Sequence, residues 1–267
     1  MQLSDRMRAV AALVSPCESM ADIGCDHGYV AMELIRSRTC AHVIAMDINR
    51  GPLERAKENI RDYGMQEYIE TRLSDGAAAL LPNEAEGIVC AGMGGRLVVS
   101  ILERSRALIG DMRQVVLQPQ SELDEVRKYL RVNGYLIEKE DMIFEDGKYY
   151  PMMRALPAAF GKHERLLAGG LEQLGRRTAV CGNPPDISEI CTEEAARLTS
   201  VQDTYGPYLL EHSHPVLKRY LLWQKANLEQ IRERLNASGR ETARQQCRMA
   251  ELEDALSDIV FCLYQYF

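Results

Sequence analysis

Among 267 residues there is one tryptophan and only five histidines, and no apolar run approaches the ~20 residues that a membrane-spanning helix needs. No membrane partner is expected. The eight cysteines stand at 17, 25, 40, 90, 181, 191, 247 and 262, without a single C-x-x-C. Structural zinc sites draw on closely paired ligands, so no metal is expected, and reduced, mostly buried thiols suit a cytosolic chain. The opening Met1-Gln2-Leu3-Ser4-Asp5-Arg6 has neither an apolar core nor a small-residue cleavage site. A cytoplasmic location is the expectation. A surplus of positive charge is also lacking: 32 Lys and Arg against 39 Asp and Glu leave a net charge of -7. That speaks against a surface coated with nucleic acid and leaves room for a local patch.

What is present is ordinary globular material, 46% hydrophobic and 27% charged, long enough for about two domains. Residues 19–24 read as a strand and 29–38 as a helix with Val30, Leu34 and Ile35 on one face. The alternation then repeats. His42 to Met46, Tyr68 to Leu73, Gly87 to Ala91 and Gln114 to Leu117 read as strands, with helices over Pro52 to Asp62 and Leu97 to Leu108. Ser121 is the expected hydroxyl cap of a further helix, closed by Asn133-Gly134. Five buried strands joined by helical crossovers predict a parallel sheet covered on both faces. Gly134 to Ile143 and Lys148 to Leu156, joined by Glu145-Asp146-Gly147, predict an antiparallel hairpin. An α/β sheet of this Rossmann-like kind, parallel with an antiparallel terminal strand, is the form of a class I methyltransferase.

Leu217, Leu221, Leu228, Ile231 and Leu235, then Met249, Leu252, Leu256, Ile259, Leu263 and Tyr266, recur at heptad-like or three-four spacing around Asn236-Ala237-Ser238-Gly239. They predict a C-terminal helical coiled-coil hairpin, with an ordinary helical cap as the alternative. The domain division is therefore 1–156 catalytic, 157–206 an irregular connector with one or two short helices, and 207–267 the hairpin. Asn183-Pro184-Pro185-Asp186 in the connector is explained by a proline turn. Residues 211 to 248 carry eight basic and four acidic side chains, so the positive excess is confined to this C-terminal stretch.

Chemistry concentrates at the strand ends. Asp22-Ile23-Gly24-Cys25-Asp26-His27-Gly28 lies at the first strand-to-helix turn, where glycines admit a ligand to the backbone and a helix start offers free N–H donors. A dinucleotide fingerprint would read G-x-G-x-x-G. Here two acids flank the turn, which suits the ammonium and sulfonium groups of S-adenosylmethionine better than a pyrophosphate. Asp47-Ile48, 23 residues beyond Gly24, ends the second strand where an acid accepts ribose hydroxyls. Ser74-Asp75-Gly76 ends the third, where an adenine amino group lies. The alternative for Asp47 and Asp75 is a pair of helix caps. Gly92, Met93 and Gly94, within Ala91 to Gly95, follow the fourth strand as the floor of the cleft.

Leu3-Ser4-Asp5-Arg6, DIGCDHGYV from Asp22, SDGAAAL from Ser74, AGMGG from Ala91, LQPQ from Leu117, the EDGKYY hairpin and YGPYLL from Tyr205 together resemble the bacterial tRNA (adenine-22-N1)-methyltransferases. The likeness covers residues 1 to about 156 and resumes from about 205. It implies S-adenosylmethionine as methyl donor, N1 of an adenine in the tRNA D arm as acceptor, and a C-terminal coiled coil. Residues 157 to 204 look longer than the family's connector.

N1 of adenine is a neutral nucleophile, so alignment outweighs base strength. Asp26 is the expected catalytic carboxylate, stabilising the cationic product, with His27 orienting it and Tyr29 offering a stacking face for a base turned out of the RNA. Arg6, Arg8, Lys218, Arg219, Lys225, Arg232 and Arg234 are the expected phosphate contacts. A monomer is favoured. The competing readings are the same fold acting on another RNA or a small amine, and a noncatalytic RNA-binding scaffold.

Overall fold

The structure, a computed structural model, describes residues 3–157, 187–237 and 242–267, with the side chains of 187–193 excepted. Its centre is a seven-stranded sheet: β1 (Cys17–Ile23), β2 (Cys40–Asp47), β3 (Ile69–Leu73), β4 (Gly87–Met93), β5 (Gln114–Pro119), β6 (Leu136–Glu145) and β7 (Lys148–Leu156). The order is β3-β2-β1-β4-β5-β7-β6. The first five are parallel and β7 enters antiparallel to β5. The predicted sheet and its antiparallel end are both present.

Alternate residues of the central strands feed opposite layers. Ile88 and Cys90 of β4, with Val115 and Leu117 of β5, face one core, while Val89 and Val116 face the other. This two-residue period on fully buried strands is what a sheet covered on both faces requires. The expected hairpin forms with a two-residue turn, Glu145 belonging to β6, and Asp146 and Gly147 have φ of 48° and 77°.

The covering helices are α1 (Asp5–Leu13), α2 (Tyr29–Arg36), α3 (Arg50–Asp62), α4 (Gly95–Arg104), α5 (Arg106–Ile109) and α6 (Leu123–Val132). Three expectations need correction. The single helix foreseen over 97–108 breaks at Ser105, whose φ of -110° and ψ of 21° leave the helical range although its N–H still bonds the Ile101 carbonyl. Ser121 does not cap α6. Glu122 occupies that place at φ 46° without a capping hydrogen bond, and the Ser121 hydroxyl accepts from the Gly95 N–H and donates to Glu122 instead. Residues 187–205, expected to be irregular or only briefly helical, form one 19-residue helix, α7 (Ile187–Tyr205). Its inward residues are Val201 and Tyr205, with polar residues between. The Asn183-to-Asp186 turn lies outside the described residues.

After α8 (Pro207–Glu211), α9 (Pro215–Ala237) and α10 (Ala243–Tyr266) form the predicted helical hairpin. It is antiparallel, since Ser213 before α9 donates to the carbonyl of Tyr266 at the end of α10. Leu217, Leu221, Ile259 and Cys262 of the pair join Val201, Leu209, Leu210 and Met142 of β6 in a third core.

Arg127 of α6 and Glu140 of β6 join this helical part to the sheet. Their charged groups meet at 2.8 Å with side chains 1% and 0% exposed. Arg127 also donates to the carbonyls of Asp203 and Thr204, and Glu140 accepts from the backbone N–H of Tyr208 and Leu209.

Candidate active site

The carboxyl ends of β1 to β4 surround a cavity of about 560 Å³. It sits where the strand order reverses between β1 and β4, the place where open α/β sheets bind ligands. The β1–α2 turn is built for close approach. Gly24 and Cys25 donate to the carbonyl of Met46, and Gly24 and Gly28 have φ of 74° and 72°. A Cβ on Gly24 would lie 2.3 Å from Met93 Cε, across the cavity floor. Gly24→Ala is accordingly expected to cost about 1–2 kcal/mol in left-handed backbone strain and to push Met93 aside. Urea unfolding measures that loss, and a variant as stable as the parent would refute it.

Helix α3 holds the rest of the turn. Asn59 donates to the carbonyl of His27 at 2.9 Å, and Arg55 pairs with Asp26 at 3.1 Å. Asp26 has φ 43°, a strained position for a residue with a side chain. His27 Nε2 lies 3.7 Å from its carboxylate and the His27 ring stacks on Tyr29 at 5.4 Å. The Asp26 pairs are solvent-exposed and contribute little stability, so they leave this carboxylate free to change partners.

The three strand-end acids are electrostatically distinct. Asp22 is buried, its Oδ2 has no hydrogen-bond partner among the described residues, and burial, aided by the charge of Asp47 and opposed by the Ala31 N–H, raises its pKa to about 7. Asp47 accepts from the Asn49 N–H at 2.8 Å. Asp75 is exposed and pairs with both terminal nitrogens of Arg104 at 2.7 and 3.2 Å, which hold its carboxyl below the usual range. Neither Asp47 nor Asp75 is a helix cap: Asn49 holds the cap position of α3, and Ser74 Oγ, not Asp75, accepts from the Ala79 N–H. Burial and the surrounding carboxylates push the Cys25 thiol up, away from a reactive thiolate.

Asp22, Gly24, Cys25, Asp26, His27, Tyr29, Asp47, Ile48, Ser74, Asp75, Gly76, Gly92, Met93 and Arg6 all line this one cavity. Gly28 and Gly94 do not. Gly28 packs against Ala56 and Gly94 precedes α4. Arg8 points to the Leu3 carbonyl and Asp5. Lys218, Arg219, Lys225, Arg232 and Arg234 lie on α9, outside the cavity. Sequence reasoning overlooked Gln118 and Gln120. Gln118, fully buried at the end of β5, accepts from Arg6 Nη1 at 2.9 Å, and Gln120 reaches the cavity wall. Their signal was present in the LQPQ run, one strand beyond the residues searched for chemistry.

Residues 3–153 match the family model described as a methyltransferase domain. The tRNA (adenine(22)-N(1))-methyltransferase of Bacillus subtilis is 32% identical over 155 residues, which are 58% of this chain and 65% of that one, so the match spans just under two thirds of that relative. A putative tRNA methyltransferase of Mycoplasma pneumoniae is 35% identical over 54% of this chain and 67% of its own. In fold, the likeness extends over the helical part as well. The crystal structure of Sp1610 from Streptococcus pneumoniae, a putative tRNA (m1A22) methyltransferase in complex with S-adenosyl-L-methionine, superposes with a TM-score of 0.73 at 24% identity, covering 98% of this chain and 100% of that one. With its glycine turn, its strand-end acids and the family match over more than half its length, the chain belongs to the methyltransferase-domain family.

Proposed function

We propose that this protein uses S-adenosylmethionine to methylate N1 of adenine-22 in the D arm of tRNA. The observation that carries the reading is Asp22: a buried carboxylate oxygen with no partner, at the wall of a cavity already ringed by Asp47 and Asp75. A buried acid of this kind is costly unless a cation completes it. The ammonium of the methionine moiety is such a cation, and the bare backbone at Gly24 leaves room for that moiety beside Met93. The residues present therefore fit the donor. When bound, its sulfonium supplies an electrophilic methyl group.

The protein's own part is placement. Asp47, with one oxygen engaged by Asn49, keeps lone pairs for ribose hydroxyls. Asp75, steadied by Arg104, offers an acceptor for an adenine amino group. On the acceptor side, His27 and Tyr29 present stacked rings against which a base turned out of the RNA can lie. The Asp26 carboxylate accepts from the N6 amino group and offsets the positive charge that develops on the ring, exchanging its exposed link to Arg55 for the substrate. No base is needed, because N1 attacks through its own lone pair. Arg6, held by Gln118 and lying 5.1 Å over the Tyr150 ring, lines the cavity with a guanidinium that has no carboxylate partner among the described residues, and suits a phosphate.

The choice of tRNA rests on the Bacillus relative's activity together with Arg6 and the basic α9. Incubating the protein with donor and unmodified tRNA transcripts, then digesting and analysing nucleosides by mass spectrometry, is expected to yield N1-methyladenosine, lost when adenine-22 is replaced by guanine. A different methylated nucleoside rejects the acceptor assignment. Failure to bind the donor rejects the whole reading.

A further inference from the structure

Helix α9 has an apolar face turned outward. Leu217 and Leu221 point into the third core, yet Arg219, Leu222 and Trp223, at three-four spacing around the other side, are exposed, with Leu222 and Trp223 50% and 52% accessible. Trp223 packs one side against Tyr149 and Tyr220, at 5.7 and 5.9 Å between ring centres. Tyr149 in turn meets Phe144, its cross-strand partner at the tip of the β6–β7 hairpin, at 4.7 Å. Arg219 lies 4.1 Å over the Phe144 ring, and among the described residues no carboxylate pairs with it. Rings and an uncompensated cation thus share one surface patch, the combination that holds unpaired nucleotides by stacking and phosphate contact.

The same hairpin links the patch to the cavity wall. Phe144 and Tyr149 pair with each other in register, and the next pair inward, Ile143 and Tyr150, points to the opposite face. On that opposite face Tyr150 carries Arg6, which lines the cavity. Glu145, next to Phe144, accepts from the backbone N–H of Asp5 and Arg6. One face of the ribbon thus carries the platform, and the other carries Arg6 at the cavity rim. Extruding a base costs its neighbours their stacking, and a second aromatic surface one or two nucleotides away offsets that cost.

We infer that Trp223, Phe144 and Arg219 form a stacking platform for nucleotides flanking the methylated adenine. The inference rests on the proposed tRNA acceptor. Trp223 is the chain's sole tryptophan and reports on the platform directly. In the full chain its emission is expected to be quenched by acrylamide, and to change and become shielded as substrate tRNA saturates the protein, binding being followed independently by gel mobility. Trp223→Ala should weaken tRNA affinity roughly tenfold or more while leaving the slope of affinity against salt and the affinity for S-adenosylmethionine unchanged, and Trp223→Phe should restore most of the loss. Arg219→Ala should instead lower the salt slope by about one.

Tryptophan emission unaltered by bound tRNA, or wild-type affinity in Trp223→Ala, overturns the platform while leaving the methyltransferase reading intact. Emission shielded from acrylamide before tRNA is added, or a dimer in light scattering that Trp223→Ala dissolves, overturns it in favour of the chain itself or a second copy as the occupant. Absence of tRNA binding by the parent protein overturns platform and acceptor together.

Discussion

Asp22→Asn is expected to weaken S-adenosylmethionine binding by about ten- to a hundredfold, the usual worth of a charge-assisted bond in a buried site. The isosteric amide keeps the shape and removes the charge. A second consequence is a change in pH dependence. With its pKa raised to about 7, Asp22 of the free protein holds a proton that a bound ammonium must expel. Parent affinity should therefore fall as pH drops from 8 towards 6, approaching tenfold per unit below 7, and the Asn variant should lose most of that slope.

Stability moves the other way. Because the folded pKa lies above the unfolded one, the native state holds this proton between about pH 4 and 7 where the unfolded chain has released it. The free protein loses stability as pH rises through that window, and at pH 8 Asp22→Asn should be the more stable chain. Isothermal titration at pH 6, 7 and 8, with urea unfolding of the ligand-free proteins, tests both signs. Equal donor affinity of parent and variant at pH 8 would remove Asp22 from the site.

Glu140→Ala is expected to lower stability by about 3–5 kcal/mol, because it leaves Arg127 charged and buried without its carboxylate. It also strips the Tyr208 and Leu209 N–H groups of their acceptor. Buried ion pairs can often be exchanged for hydrocarbon at little cost, but here the pair also satisfies four backbone groups. Arg127→Met with Glu140→Leu should therefore remain clearly less stable than the parent, each orphaned carbonyl or N–H costing about 1–3 kcal/mol. Urea unfolding of the three proteins separates the contributions. A single variant within about 1 kcal/mol of the parent would show that the junction does not depend on this pair. Gly206, at φ 98°, is required beside it: a Cβ there would sit 2.5 Å from Glu140 Oε2.

Much of the sheet was legible in the chain. Strands β1, β2, β4 and β5 carry the buried apolar runs of the sheet's middle, the edge strand β3 shows through its alternation instead, and Asp146-Gly147 marks the hairpin by its need for positive φ. Helix α1 was not foreseen, although Ser4 caps it through the Met7 N–H, because nine residues with three buried side chains show little periodicity. Helix α7 was hidden for the same reason: its inward stripe is narrow and its preceding residues are rich in turn formers. The strand-end acids were visible from spacing, whereas their unequal character was not. Asp22 and Asp75 look alike in sequence, and only burial of the first and Arg104 beside the second set them apart.

The order of strands and helices, the glycine turn after β1 and the acids that close three successive strands are properties of local sequence, because periodicity and backbone freedom depend on neighbours along the chain. Tertiary structure alone decided that Arg6 meets Gln118 across 112 positions, that Asp22 keeps an oxygen without a partner, and that Arg127 and Glu140 seat the helical hairpin against β6. Charge pairing and desolvation depend on distances in space, and those exist only once the chain has packed.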